Sequence, residues 1–403
     1  MSQPLQAAIL AAARPLAVAH AGRAQLAAAL EQFGEADWNT FIERALAHGT
    51  TSLLCHNLLA LDVELLPAEL IAACKAYLAA REAAAVRALT QLAEVIDALA
   101  VNGIDALPYK GPILALQAYG DPAIRESRDL DLFIRQDDLW NALAVLGRLG
   151  YRSEAIVGLR PRRIADYYAY NGHDILFAQD KLPIEPHWAL APRTFCTEFD
   201  NARIFDRAIF IETAEGRRFP CFAPEDTLLI AATHGGKEQW SRLVWVADVA
   251  ALLHAHPTLD WTAVLERAKE AGCLRMTLLA AELARNLLAA HLPDHVQSAI
   301  RQDRLVARLV ERVRADLFTP TAVPSVYTLT RFRWHLRERP SDRWRYAART
   351  LFVARIPHFR NIDLPDRLSF LYPAVRLAHD FVMMPIWRAL GRGGALGSAE
   401  KTP

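Results

Sequence analysis

Apolar residues recur along this chain with two periods, and the switch between them marks out its elements. The first hundred residues follow a helical period. Ala-rich stretches favour helix, Pro67 stands where a long helix opens, and Gly103 sits just past its end. Leu89, Leu92, Ile96 and Leu99 give that helix one apolar stripe. From Ile104 the pattern changes. Ile104–Tyr109 is predicted as a short strand, Lys110-Gly111 as a tight turn, and Pro112 as the first turn of a helix running to Tyr119. In Ser127–Arg135, Leu130, Leu132 and Ile134 alternate with Asp129, Asp131 and Phe133, the period of a strand. Gly172–Phe177 and Leu182–Trp188 give two further strands around the turn Gln179-Asp180-Lys181. Pro186 lacks an N–H, which predicts an edge or bulged strand there. Helical patterns return from Glu225 to about Asp316. The expected class is α/β (α+β): a small mixed β-sheet flanked by helical regions. The expected regions are helical 1–102, a sheet core 103–220, helical 221–320 completing a cleft, and basic helical 321–403, whose Gly393–Pro403 tail is expected to be disordered.

The strand pattern carries chemistry. Asp129 and Asp131 share one face, about 6–7 Å apart. Like charges so placed are unfavourable until something neutralises them, and a hard cation such as Mg²⁺ is the usual solution. The pair suits metal-assisted phosphoryl or nucleotidyl transfer. The Lys110-Gly111 turn sets backbone N–H groups and a helix N-terminus beside the strand, a place suited to phosphate. Lys110 adds a point charge there, and Arg128 is grouped with it. Glu185 and His187 share a face of the later strand. Glu185 is a candidate third carboxylate, as general base or metal ligand. His187 is either its hydrogen-bond partner or a half-buried structural histidine. Farther on, His234, Lys237 and Arg242 are candidates to reach a cleft against the sheet. Lys237 and Arg242 are either triphosphate ligands or surface charges, and Asp248 either orients one of them or caps a helix contact.

Composition narrows the setting. The chain has 403 residues, 53% of them hydrophobic, enough for a large core. It contains no run of about twenty uncharged apolar residues and no N-terminal secretory pattern. Cys55, Cys74, Cys196, Cys221 and Cys273 are scattered without Cys-x-x-Cys spacing, which argues for reduced thiols and a cytoplasmic setting. The net charge of +1 hides an asymmetry: from Arg301 onward it is +10, and before that −9. Arginines are densest from Arg331 to Arg349, among Phe332, Trp334, Trp344 and Tyr346. They suit helices docked on the acidic part, or peripheral contact with an anionic inner-membrane surface, which the apolar residues of Leu368–Leu390 would support. No helix-turn-helix or zinc module is present, so sequence-specific DNA binding is not expected.

The run Lys110-Gly111, Tyr119-Gly120-Asp121-Pro122, Arg125, Arg128-Asp129-Leu130-Asp131-Leu132, Leu149-Gly150-Tyr151 and Glu185-Pro186-His187-Trp188 resembles the bacterial uncharacterised nucleotidyltransferase family of the polymerase-β superfamily. The resemblance extends from about Trp38 to Leu253 and includes His234, Lys237, Trp240, Arg242 and Asp248. It departs from the superfamily's usual Gly-Ser or Gly-Gly turn, having Lys110-Gly111, and the interval to Asp129 is longer than the commonest one. The resemblance implies a nucleotidyltransferase core in which Gly111, Asp129 and Asp131 hold an NTP and Mg²⁺, or Mn²⁺ in its place, with Glu185 as the third carboxylate on a neighbouring strand. The expected reaction moves a nucleoside monophosphate to a hydroxyl acceptor (small molecule, sugar or peptide) and releases pyrophosphate. The alternatives are phosphoryl transfer to a peptide or cell-envelope sugar, and a non-catalytic adaptor working through the basic C-terminal region.

Overall fold

The computed structural model describes residues 1–16, 19–61, 66–319 and 326–383. The expected tail at Gly393–Pro403 and the end of Leu368–Leu390 lie outside the described residues. Helices α1 (Gln3–Ala12), α2 (Ala19–Leu30), α3 (Glu35–His48) and α4 (Thr51–Leu59) precede α5 (Ala68–Val101), a helix of 34 residues capped by Pro67. Next come β1 (Ala106–Tyr109), α6 (Gly111–Tyr119), β2 (Leu130–Ile134), α7 (Leu139–Arg148), β3 (Arg152–Ser153), α8 (Pro161–Tyr170), β4 (Leu176–Phe177) and β5 (Ile184–His187). A short α9 (Asn201–Asp206) leads into a hairpin of β6 (Ile209–Glu212) and β7 (Arg218–Cys221). Helices α10 (Pro224–Lys237), α11 (Leu243–Ala255), α12 (Trp261–Ala271), α13 (Leu274–Leu288), α14 (Asp294–Gln302) and α15 (Arg304–Phe318) follow. The C-terminal helices are α16 (Val326–His335), α17 (Pro340–Phe352), α18 (Ile356–Asn361) and α19 (Tyr372–Ala378).

The main sheet is mixed, in the order β1-β2-β5-β4-β3. Alternation along β2 splits its faces. Leu130, Leu132 and Ile134 pack with Leu92, Val95, Ile96 and Leu99 of α5 and with Leu139, Ala142 and Leu146 of α7. Asp131 and Phe133 point the other way, and Phe133 joins Leu107, Tyr109 and Phe222. Burying each large apolar side chain on the α5 side contributes about 1.5–3 kcal/mol, so the strand cannot slip by one residue without exposing that row. A second core joins residues of α1–α4 to α10–α15. The N-terminal helices therefore close over a later part of the chain.

Three local expectations need correction. β5 is not at an edge; it lies between β2 and β4. Its continuous ladder is with β2. On the β4 side only Leu176 pairs with Ile184, and His173 bridges His187 in isolation. The Pro186 carbonyl accepts from the Asp174 N–H at 3.2 Å, so the missing N–H falls on that interrupted side and leaves the ladder with β2 intact. The strand expected over Gly172–Phe177 is only the two-residue β4. The β6–β7 hairpin was not anticipated at all.

Several arginines of α17 and of the link between α16 and α17 are held by the rest of the chain. Arg337 is 1% exposed, donates to the Phe195 carbonyl at 2.5 Å and lies over the Tyr346 ring. Arg345 pairs with Glu198, and Arg349 donates to the Arg193 carbonyl at 2.6 Å. No described helix is long and apolar enough to cross a membrane.

Candidate active site

Cross-strand register assembles the site. β2 runs antiparallel to β1 and parallel to β5, so Asp131 lies opposite Tyr109 on one side and Glu185 on the other. Adjacent strands stand about 4.8 Å apart, less than the roughly 6–7 Å between same-face residues of one strand. Asp131 therefore meets Glu185 rather than Asp129. Ligand atoms of Asp131, Glu185 and His187 all lie within 4.8 Å of one another. Asp129, which the sequence pairs with Asp131 as the metal-holding couple, is outside that trio. It sits at the bend just before β2 and lines the same cleft.

The neutralising charge is also not where it was expected. Lys110 Nζ stands 2.6 Å from Asp131 Oδ1, and His187 Nε2 lies 2.9 Å from the same oxygen and 3.4 Å from Glu185 Oε2. Burial raises the Asp131 carboxyl, but Lys110 and His187 outweigh it and hold the group below its ordinary value. Burial works against the Lys110 ammonium, and Asp131 and Glu185 more than restore it. For Asp129, Lys110 and Arg125 pull the same way but do not prevail. Among the described residues no hydrogen bond or ion pair ties its carboxylate, and burial, then Asp131 and Glu185, push it up to about 6.

Around this floor is a cleft of about 720 Å³, within the usual range for small-molecule sites. Lys110, Arg128, His187, His234, Lys237 and Arg242 all line it with the three carboxylates. Lys110 has φ 55° and Gly111 φ 45°, a left-handed turn at the start of α6. A Cβ on Gly111 would stand 3.1 Å from Ser127 Oγ and 3.7 Å from the Asp129 carbonyl, so glycine lets the turn press against the chain entering β2. Arg128 is exposed, 3.6 Å from Glu126, and Lys237 pairs with Glu238 at 3.0 Å. Arg242 has a buried Nε without a hydrogen-bond partner among the described residues, and burial, then Arg128 and Arg125, lower its pKa. An arginine crowded by arginines is a place for an anion. His234 packs edge-on against Trp245 at 5.4 Å, and burial, then Lys110 and Lys237, keep its imidazole well below the ordinary value.

Asp248 orients neither Lys237 nor Arg242. It accepts from Arg125 Nε at 2.9 Å and the Tyr119 hydroxyl at 3.1 Å. The reason is packing: α11 lies against α6, which brings Asp248 to Tyr119 at the end of α6 and Arg125 just beyond it. Other cleft residues went unassigned in the sequence. Arg125 stands in the quoted motif without a role. His173 stacks on His187 with ring centres 4.9 Å apart, and the alternation of the β4 region was its only signal. Gly49 and Arg333 come from the distant α3–α4 junction and from α16, and nothing in the sequence placed them here.

The mixed sheet flanked by helices has the α+β architecture of a nucleotidyltransferase-like fold. The chain belongs to the uncharacterised nucleotidyltransferase family, whose model matches residues 34–289, and on that membership it is a transferase. No curated protein matches it.

Proposed function

We propose that this chain is a divalent-metal-dependent nucleotidyltransferase that moves a nucleoside monophosphate from an NTP to a hydroxyl of an acceptor, small molecule, sugar or peptide, releasing pyrophosphate. One observation supports it above the others: three carboxylates and an imidazole converge on the floor of a cleft whose wall is cationic. The donor set fits Mg²⁺ or Mn²⁺, because carboxylate oxygens are what such hard cations take and Asp129 has no hydrogen-bond or ion-pair partner among the described residues; burial first, then Asp131 and Glu185, raise it to about 6. Asp129, Asp131 and Glu185 would hold the ion, which supplies Lewis-acid charge stabilisation when bound. Gly111 and Lys110 position phosphates at the start of α6, and Arg128, Lys237 and Arg242 meet the rest of the triphosphate. Glu185 takes the proton of the acceptor hydroxyl as its oxygen attacks the α-phosphorus and the bond to the leaving pyrophosphate breaks.

Thermal unfolding with each of ATP, CTP, GTP and UTP, with and without Mg²⁺, tests this. Binding to the native state alone raises the midpoint. A Mg²⁺-dependent rise with an NTP, lost in Asp129→Ala/Asp131→Ala, is expected. With an acceptor, pyrophosphate appears; NDP in its place would replace the reading by phosphoryl transfer. No midpoint shift with any NTP, for a folded wild type, counts against it.

A further inference from the structure

We propose that Lys110 is an internal counter-cation that competes with the divalent ion for Asp131, so that triphosphate and metal bind cooperatively and metal alone binds poorly. The inference rests on the transferase reading above and concerns how that site is regulated.

The contacts of one oxygen carry it. His187 Nε2 faces Asp131 Oδ1 and Glu185 Oε2, so these are the atoms through which the trio converges. Lys110 Nζ occupies Asp131 Oδ1 at 2.6 Å. The Asp131 side chain is 2% exposed. In so dry a place, an ammonium on that oxygen and a dication among the same three groups repel each other with little screening. The two cannot share Oδ1 at full strength.

Lys110 is built to leave. Its backbone is pinned by the left-handed turn with Gly111, but the side chain is 21% exposed on a flexible four-carbon stem at the cleft edge. The α6 N-terminus beside it and the cationic wall opposite mark where phosphate would sit. A triphosphate arriving there gives the ammonium a second anionic partner and frees Oδ1. Until then Lys110 keeps a buried acidic cluster compensated, which an empty set of carboxylates would not be.

The test is metal binding rather than turnover. Calorimetric titration of nucleotide-free protein with Mn²⁺ is expected to show weak binding in wild type. Lys110→Met should bind Mn²⁺ more tightly by about 5–150-fold, the usual range for coupled sites, and Lys110→Arg should restore weak binding. The reciprocal variant serves if Lys110→Met does not fold: in EDTA buffer, Asp131→Asn should bind inorganic tripolyphosphate more tightly than wild type, because Lys110 is released to it. If Lys110→Met binds Mn²⁺ no better than wild type, while Mn²⁺ plus tripolyphosphate still raises the wild-type unfolding midpoint, the inference is overturned and the transferase reading stands. If neither protein responds to Mn²⁺ even with tripolyphosphate, that reading falls and takes the inference with it. A looser grip of Asp131→Asn on tripolyphosphate also overturns the competition.

Discussion

Two places in this fold set a carboxylate among imidazoles, and they differ in how fully the acids around them are paired. In the cleft, Asp131 and Glu185 meet at His187, with Asp129 close by. In the C-terminal region, Asp380 Oδ1 receives His379 Nδ1 at 2.8 Å and His358 Nε2 at 3.0 Å, and Arg376 Nε stands 3.5 Å from Oδ2. The second cluster has donors to spare. His358 Nδ1 already accepts the Arg355 N–H at 2.8 Å, so the hydrogen of the neutral ring is on Nε2, the nitrogen a metal would need bare. In the cleft Asp131 is lowered as Asp380 is, but the cluster has acceptors to spare: Asp129 beside it has no donor among the described residues, and burial, then Asp131 and Glu185, raise it to about 6. The same residue types leave an acid without a donor in one place and make a closed structural knot in the other. The balance of hydrogen-bond donors around the carboxylate decides which.

That contrast can be broken by mutation. Asp131→Asn should cost on the order of 10²-fold or more in transfer rate, since charge stabilisation of this kind is a large term. Asp380→Asn should leave the rate per folded molecule unchanged. Steady-state kinetics on both variants decides, and a rate loss at Asp380 would erase the distinction. In stability the order reverses. Asp380→Ala strands its imidazole donors and should lower the unfolding free energy by about 1–2 kcal/mol in a urea titration. Gly49→Ala should weaken triphosphate binding several-fold without touching a carboxylate. Gly49 has φ 67°, and a Cβ there would overlap the Arg242 guanidinium, which must then move. Equilibrium binding of tripolyphosphate measures it, and unchanged affinity would remove Arg242 from the anion site.

The smallest effects are in the pH dependence, and their signs differ. Asp129 has a folded pKa above its unfolded one, so between about 6 and 3.8 the native state binds the extra proton and stability rises as pH falls. Asp129→Asn should abolish that rise. Asp380 is lowered, so its contribution is present above its unfolded value of 3.8 and is lost as pH falls through its folded pKa below that. His358, lowered chiefly by burial, contributes stability that is lost as pH falls below its unfolded 6.5. Unfolding followed from pH 7 to pH 4 in wild type, Asp129→Asn and His358→Gln separates the Asp129 and His358 slopes. A stability curve of Asp129→Asn parallel to wild type would contradict the raised carboxyl.

Much of the site was legible because it is local. A period of two places Asp131 opposite in face to Leu130 and Leu132, and a Lys-Gly-Pro run can do little but turn into a helix. What was misjudged depended on neighbours. Pro186 suggested an edge, yet an interior strand tolerates it where one side of the ladder is interrupted. Asp248 suggested a partner for nearby cations in sequence, yet its partner is Arg125, more than a hundred residues away. The β6–β7 hairpin escaped because Ile209–Glu212 is largely exposed and shows no buried alternation.

By itself the sequence determined the helical N-terminal stretch, the alternation of β2 and the carboxylates and the Lys-Gly turn that meet at the cleft. Those follow from backbone geometry and side-chain period, which act over a few residues. Only the tertiary structure decided that Glu185 faces Asp131 across a parallel pair, that Lys110 supplies the charge which keeps Asp131 ionised, and that α3–α4 and α16 lend Gly49 and Arg333 to the cleft. Electrostatic partnership depends on separations of a few ångströms in a dry interior, and that distance is set by strand register and helix packing, not by position along the chain.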